Sequence, residues 1–210
     1  MFLSNDHILL IHGRRNCEVP ELIVETLHHA IPGLLEFVPT RLGDERGYFS
    51  ELFRLAVFQE SAGPVEFVQE NESLSKRAGT VRGLHFQIAP FAQGKLVRCT
   101  AGASFDVAVD LRRGSPTFGQ WAAVELSSER GNQFWIPVGF AHGFCTLEPD
   151  TVVNYKVTAY YSGEHEMGLA WDDPAIGITW PDVAERDSLS AKDRNQPLLS
   201  GLPAYFAIGD

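Results

Sequence analysis

Two histidines in this chain stand at spacings that suggest chemistry. His142 closes the run Gly131, Pro137, Gly139, His142, in the order G-x5-P-x-G-x2-H, and His85 follows Gly79 in the order G-x5-H. An imidazole at such a place can ligate a metal or accept a proton near neutral pH. Metal ligation needs more donors than these two residues supply, because zinc and iron sites normally use at least three protein ligands. Gln87 sits two residues after His85, and residues 88–95 contain no glutamate. Lys95, Tyr155 and Asp193, with the cations Arg46, Arg82 and Lys192, are further polar residues of the chain. Each also has an ordinary reading. His85 could be a hydrogen-bonded structural histidine, Tyr155 a core aromatic, and Lys95 and the arginines solvated surface charges. Asp193 follows Ser190 at capping-box spacing, so a helix cap alone accounts for it.

The elements that must position these residues are mostly strands. From Leu34 onward, short runs rich in Val, Phe, Tyr and Thr alternate with Gly, Pro, Asn and Ser, the pattern of a β-sandwich or barrel. In Ser104 to Asp110 the alternation puts Phe105, Val107 and Val109 on one face, with Asp106 and Asp110 on the other. Val153, Tyr155 and Val157 repeat it. Two helices are expected in this part, one around Phe53 to Ala62 and a short one opening at Ser190. Upstream, Leu22, Ile23 and Leu27 have roughly helical spacing and predict a helix over Pro20 to Ala30. The adjacent His28 and His29 would point to different sides of it and suit a shared metal poorly. Composition shifts at Pro32-Gly33, so residues 1–31 read as an N-terminal appendage and 32–210 as one domain.

The 210 residues are 44% apolar and 21% charged, as in ordinary globular proteins, which excludes disorder. A net charge of −10 repels a phosphate polymer and argues against a nucleic-acid surface, yet permits one small anion gripped by local arginines and lysines. The three cysteines, Cys17, Cys99 and Cys145, are widely spaced, without a CxxC pair, and read as reduced, buried thiols. The apolar patch Ile8 to Ile11 is too short to span a membrane, and no basic segment precedes it, so a cytoplasmic location is expected.

The two histidine patterns resemble the two cupin motifs, but a metal-binding cupin would place a second histidine at Gln87 and a glutamate soon after. Longer stretches carry a closer resemblance. They are Gly43-Asp44-Glu45-Arg46-Gly47-Tyr48-Phe49, Val81-Arg82-Gly83-Leu84-His85-Phe86-Gln87, Gly94-Lys95-Leu96-Val97-Arg98 and Ser115-Pro116-Thr117-Phe118-Gly119. Trp135-Ile136-Pro137, Tyr155-Lys156-Val157-Thr158, Trp171-Asp172-Asp173-Pro174 and Leu189-Ser190-Ala191-Lys192-Asp193 continue the series. In these motifs the chain, from about residue 32 to 195, resembles the dTDP-4-dehydrorhamnose 3,5-epimerases.

That resemblance implies an all-β cupin-type double-stranded β-helix barrel and a cofactor-free, metal-free 3,5-epimerisation of a dTDP-4-keto-6-deoxyhexose. The base then matches His85, its orienting carboxylate Asp193, the enolate-stabilising cation Lys95 and the opposite-face acid Tyr155. Substrate contacts match Arg46, Glu51, Gln69, Glu70, Asn71, Arg82, His142, Glu166 and Lys192. Glu70 departs from the family's more usual aspartate. A homodimer paired through exchanged N-terminal strands is also implied. Three rivals remain: an epimerase inverting one centre only, a metal-dependent cupin oxygenase, which Gln87 and the missing glutamate disfavour, and a non-catalytic sugar-nucleotide binder.

Overall fold

The computed structural model describes residues 24–208; Ile8 to Ile11, Cys17 and the first residues of the expected N-terminal helix lie outside them. The chain opens with β1 (Val24–His28), β2 (Leu35–Pro39), β3 (Leu42–Asp44) and β4 (Gly47–Phe49), followed by α1 (Leu55–Ala62). Then come β5 (Gln69–Ser75), β6 (Val81–Gln87), β7 (Lys95–Ala101), β8 (Ala103–Asp110) and β9 (Arg112–Arg113). The last strands are β10 (Trp121–Ser127), β11 (Gln133–Ile136), β12 (Phe140–Thr146), β13 (Thr151–Val157), β14 (Glu166–Gly168) and β15 (Phe206–Ala207).

Two antiparallel sheets face each other. One has the order β1-β2-β11-β7-β13-β5 and the other β10-β8-β12-β6-β14. Their inner faces meet in a core where Val97, Cys99, Phe134, Ile136 and Val153 pack with Ala108, Val124, Leu126, Phe140 and Phe144. Each outer face is covered in turn. Phe58 of α1 packs with Leu35, Phe37, Leu96 and Trp135 behind the six-stranded sheet. Behind the five-stranded sheet, Val107, Val109, Leu169, Ile176 and Phe206 form another cluster, joined by Phe105. The alternation along β8 is therefore as expected, but its apolar face packs against the chain's C-terminal part. The face carrying Asp106 turns into the barrel. A sheet covered on both sides needs no wet face, and β8 is almost wholly buried.

The N-terminal expectation needs correcting. Residues 24–28 form a strand rather than a helix, paired antiparallel with β2 from Val24 opposite Pro39 to His28 opposite Leu35. The Pro32-Gly33 pair is the turn of this hairpin, not a domain boundary, with Gly33 at φ +100°. Val24 and Thr26 are β-branched residues on one face of β1, and pairing with β2 outweighs the weaker helical spacing. Ile31, at 4% exposure, belongs to the core, so the last residues assigned to the appendage are part of the barrel. The His29 ring packs at a tilt against Phe134, with centroids 5.3 Å apart. The helix expected around Phe53 to Ala62 is present as α1, while the one at Ser190 is a single 3-10 turn, Asp193–Asn195.

Two truncations test the role of β1. Deleting residues 1–20 stops short of it and should change the melting temperature by less than about 2 °C. Deleting residues 1–31 removes β1 and Ile31, costing about 2–5 kcal/mol, and should lower melting by more than about 5 °C. Equal midpoints would show that β1 contributes nothing to the barrel.

Candidate active site

His85 stands on β6, directly opposite His142 on β12. The two strands approach closely just below this pair. A Cβ on Gly83 would come within 2.6 Å of the Gly143 Cα, so both positions need glycine. The register shifts at this point, between His142 and Phe144, leaving both imidazoles on the wall of one cavity. Bulges near active sites commonly re-aim side chains in this way.

Each imidazole is held by a carboxylate. His85 Nε2 lies 2.6 Å from Asp193 Oδ1, and His142 Nε2 lies 2.6 Å from Asp106 Oδ1. Asp193 reaches His85 because its turn is anchored twice. Leu189 is buried against Val81 and Cys145, and the Asp193 backbone N–H donates to Ser190 Oγ at 3.0 Å. The cap reading and the site reading of Asp193 thus both hold. Burial disfavours its charge, but hydrogen bonds from His85, Ser190 and the Gly83 N–H outweigh that and keep the carboxyl below its usual range. Burial pushes the His142 pKa down against the pull of Asp106, which favours the neutral ring.

The opposite wall comes from the six-stranded sheet. Lys95 opens β7 and donates to the His85 carbonyl at 3.3 Å, and Tyr155 lies on β13 opposite Val97. Burial lowers the Lys95 pKa from its usual value to about 8, partly offset by Glu166 and Asp106. Burial raises that of Tyr155, with Arg82 opposing, so the phenol keeps its proton at neutral pH.

His85, Lys95 and Tyr155 line two adjoining lobes. One, of 310 Å³, is rimmed by the cations Arg82 and Lys192 and by His142 and Asp193. The other, of 290 Å³, is lined by Gln69, Asn71, Gln87, Gln93, Tyr161 and Glu166. Glu166 ties the rims together, accepting from Lys192 at 2.6 Å and from the Tyr161 hydroxyl at 2.7 Å. Gln69 donates to Asn71 at 2.7 Å.

Gln87 occupies the position where a metal site would want a second histidine, and its amide is fully engaged. Nε2 donates to the Phe91 and Tyr160 carbonyls, and Oε1 accepts from the Ser162 N–H. These bonds clamp two loops at the cavity mouth. Among the described residues, no group of three His, Cys, Asp or Glu side chains could hold an ion.

Three residues expected in the site lie elsewhere in this chain. Glu70 points to the other side of β5 from Gln69 and Asn71, because side chains alternate along a strand, and it pairs with Lys156 at 2.9 Å. Arg46 sits on the exposed β3–β4 hairpin, 84% exposed and bound to Asp44. Glu51 pairs with Arg54 at 2.8 Å. Conversely, Asp106, Gln93 and Tyr161 escaped the sequence reading. The polar alternation of β8 pointed at Asp106, whereas nothing in the sequence marks Tyr161.

A histidine on one sheet, held by a carboxylate from the turn packed beside it, faces a protonated phenol and a lysine on the other, the arrangement of a proton-transfer isomerase built on a β-barrel. Comparison with known proteins narrows the class. Residues 28–201 match the model of the dTDP-4-dehydrorhamnose 3,5-epimerase family. A dTDP-4-dehydrorhamnose 3,5-epimerase of Sinorhizobium fredii is 58% identical over 189 residues, covering 90% of this chain and 95% of that protein. The crystal structure of a dTDP-6-deoxy-D-glucose-3,5-epimerase from Legionella pneumophila, in complex with dTDP-4-keto-L-rhamnose, superposes with a TM-score of 0.82. It is 43% identical, covering 88% of this chain and 98% of that one. A 3'-monoepimerase from Streptomyces bikiniensis, in complex with dTDP-quinovose, is 35% identical with a TM-score of 0.76, covering 83% and 88%. The chain belongs to the dTDP-4-dehydrorhamnose 3,5-epimerase family.

The Lys95 environment generates a pH prediction. The ammonium is the form that can stabilise a developing oxyanion, and it is lost as pH rises through about 8. The kcat/KM profile should therefore fall on a basic limb near that pH. Lys95→Arg, whose cation persists, should lack this limb whatever its absolute rate. A flat wild-type profile between pH 7 and 10 would remove Lys95 from the charge-stabilising role.

Proposed function

We propose that this chain inverts C3 and C5 of dTDP-4-dehydro-6-deoxy-D-glucose to give dTDP-4-dehydro-β-L-rhamnose, through enolates and without a cofactor. The observation that carries the reading is the placement of His85 and Tyr155 on facing sheets, with Lys95 lining the cavity between them. A C–H beside a ketone is a weak acid. Its removal needs a base, a cation at the oxygen and an acid on the far face.

His85 serves as the base. With Nε2–H donated to Asp193, the Nδ1 lone pair takes the proton from C3, and the carboxylate stabilises the imidazolium. The C–H electron pair moves into a C3–C4 double bond, and charge gathers on the C4 oxygen beside Lys95. Tyr155 then delivers its proton to the opposite face of C3 as the C4 carbonyl re-forms, the imidazolium releases its proton to solvent, and solvent restores the phenol. The same cycle at C5 completes the reaction. Atoms balance, and no electrons leave the substrate.

Arg82 and Lys192 supply positive potential to the sugar diphosphate and the neutral His142 ring a hydrogen bond, and Gln69, Asn71 and Glu166 serve polar groups in the other lobe. Arg46 and Glu51 fit this scheme through a second copy. Tyr48 and Phe49, on the same hairpin as Arg46, are 60% and 63% exposed, and a homodimer would cover them. Among the described residues, no helix is long and apolar enough to cross a membrane. Buried Cys99 and Cys145, both free thiols, suit a reducing cytoplasm.

The single-centre alternative shares this site, so the experiment must follow both carbons. In heavy water, His85→Asn should show neither deuterium uptake nor inversion at C3 or C5. Tyr155→Phe should retain exchange while inversion falls by about 10²–10⁴-fold, because His85 can return a solvent deuteron to the face it came from. Wild-type inversion in Tyr155→Phe would remove the phenol from the mechanism.

A further inference from the structure

The inner face of β5 presents Gln69, Asn71, Ser73 and Ser75 in alternation. Three of them are engaged. Gln69 donates to Asn71 and accepts from the Tyr161 N–H, and Ser75 Oγ accepts from Arg82 Nε at 3.2 Å. Ser73 differs. Its Oγ is buried, and no described residue hydrogen-bonds to it. Ser73 nevertheless lines the cationic lobe beside Arg82, His85, Lys95, His142 and Tyr155. It lies opposite Val153, one inward step along β13 from the Asn71–Tyr155 pair. Buried hydroxyls are normally paired, and one left unpaired inside a ligand cavity is a donor and acceptor waiting for a ligand group.

The substrate's chemistry says which group. C1 carries the diphosphate, C4 is the ketone and C6 is a methyl. The C3 hydroxyl changes face on inversion, so a fixed wall group can serve it on one side of the reaction only. The C2 hydroxyl keeps its configuration throughout, and it is attached one bond from a reacting carbon. Nearby side chains are committed elsewhere: His142 is held by Asp106, His85 by Asp193, and Lys95 faces the ketone.

We propose that Ser73 is a specificity-determining residue that hydrogen-bonds the C2 hydroxyl of the hexose, so that the enzyme prefers 2-hydroxy over 2-deoxy sugars. This rests on the epimerase reading above. A site built to bond a substrate hydroxyl discriminates against the analogue that lacks it, because its own polar group is then left unpaired.

The test is a two-by-two comparison: wild type and Ser73→Ala, each with the 2-hydroxy substrate and its 2-deoxy analogue, measured as kcat/KM. Ser73→Ala should lose about 3–10-fold on the 2-hydroxy substrate and differ from wild type by less than about twofold on the analogue. Affinity for dTDP, which lacks the hexose, should not change. Ser73→Thr keeps the hydroxyl and should keep the preference, which provides a second reading if the alanine variant folds poorly. Equal losses on both sugars, or no loss on either, would overturn the Ser73 proposal while leaving the epimerase reading intact. A wild-type enzyme that binds dTDP yet fails to turn over the 2-hydroxy substrate would overturn both.

Discussion

Two sheets packed face to face lie about 10 Å apart, and this layering governs the rest of the molecule. It leaves room for a sugar ring between a residue on one wall and a residue on the other. His85 projects from β6 and Tyr155 from β13, strands of opposing sheets. In the proposed reaction, removing a proton from one face of a carbon and returning one to the other follows from the barrel's layering. The close approach of Gly83 to Gly143 fixes where His85 emerges. The buried turn after Leu189 brings Asp193 to it from 108 residues away.

The electrostatics follow from the same enclosure. A chain with a net charge of −10 recruits an anion by concentrating Arg82, Lys95 and Lys192 around one lobe. Carboxylates are used there sparingly and for stated purposes. Asp193 and Asp106 orient imidazoles, and Glu166 bridges Lys192 and Tyr161. Low dielectric strengthens each of these interactions, and it moves Lys95 toward neutrality and Tyr155 away from ionisation.

Much of this was legible in the sequence, for uneven reasons. The strand periodicity of β8 and β13 could be read directly because a strand alternates with period two. Its orientation could not, since which face of β8 turns inward depends on the C-terminal residues that cover the other. The residues that line the cavity could be named as a set only through the family resemblance. Singly, Asp193 reads as a cap, and it is one, because its own N–H donates to Ser190 while its carboxylate serves His85. Gln87 was visible as a missing ligand but not as the clamp between two loops. The helix expected over Pro20 to Ala30 rests on three apolar positions, too few to settle a competition between helical and strand periods, and over Val24–His28 pairing with β2 decides it. Glu70 shows the converse: a motif position carried over by resemblance still points where strand alternation puts it.

The account's central claim is that two proton transfers across one ring, each entering on the face opposite its departure, produce the product. The most direct measurement is NMR of the product formed by the wild-type enzyme in heavy water. The account predicts inversion at both C3 and C5, with one solvent deuteron bound to each carbon. Inversion at one carbon only would contradict the double epimerisation, and inversion with retention of the original hydrogen would contradict proton exchange through His85 and Tyr155.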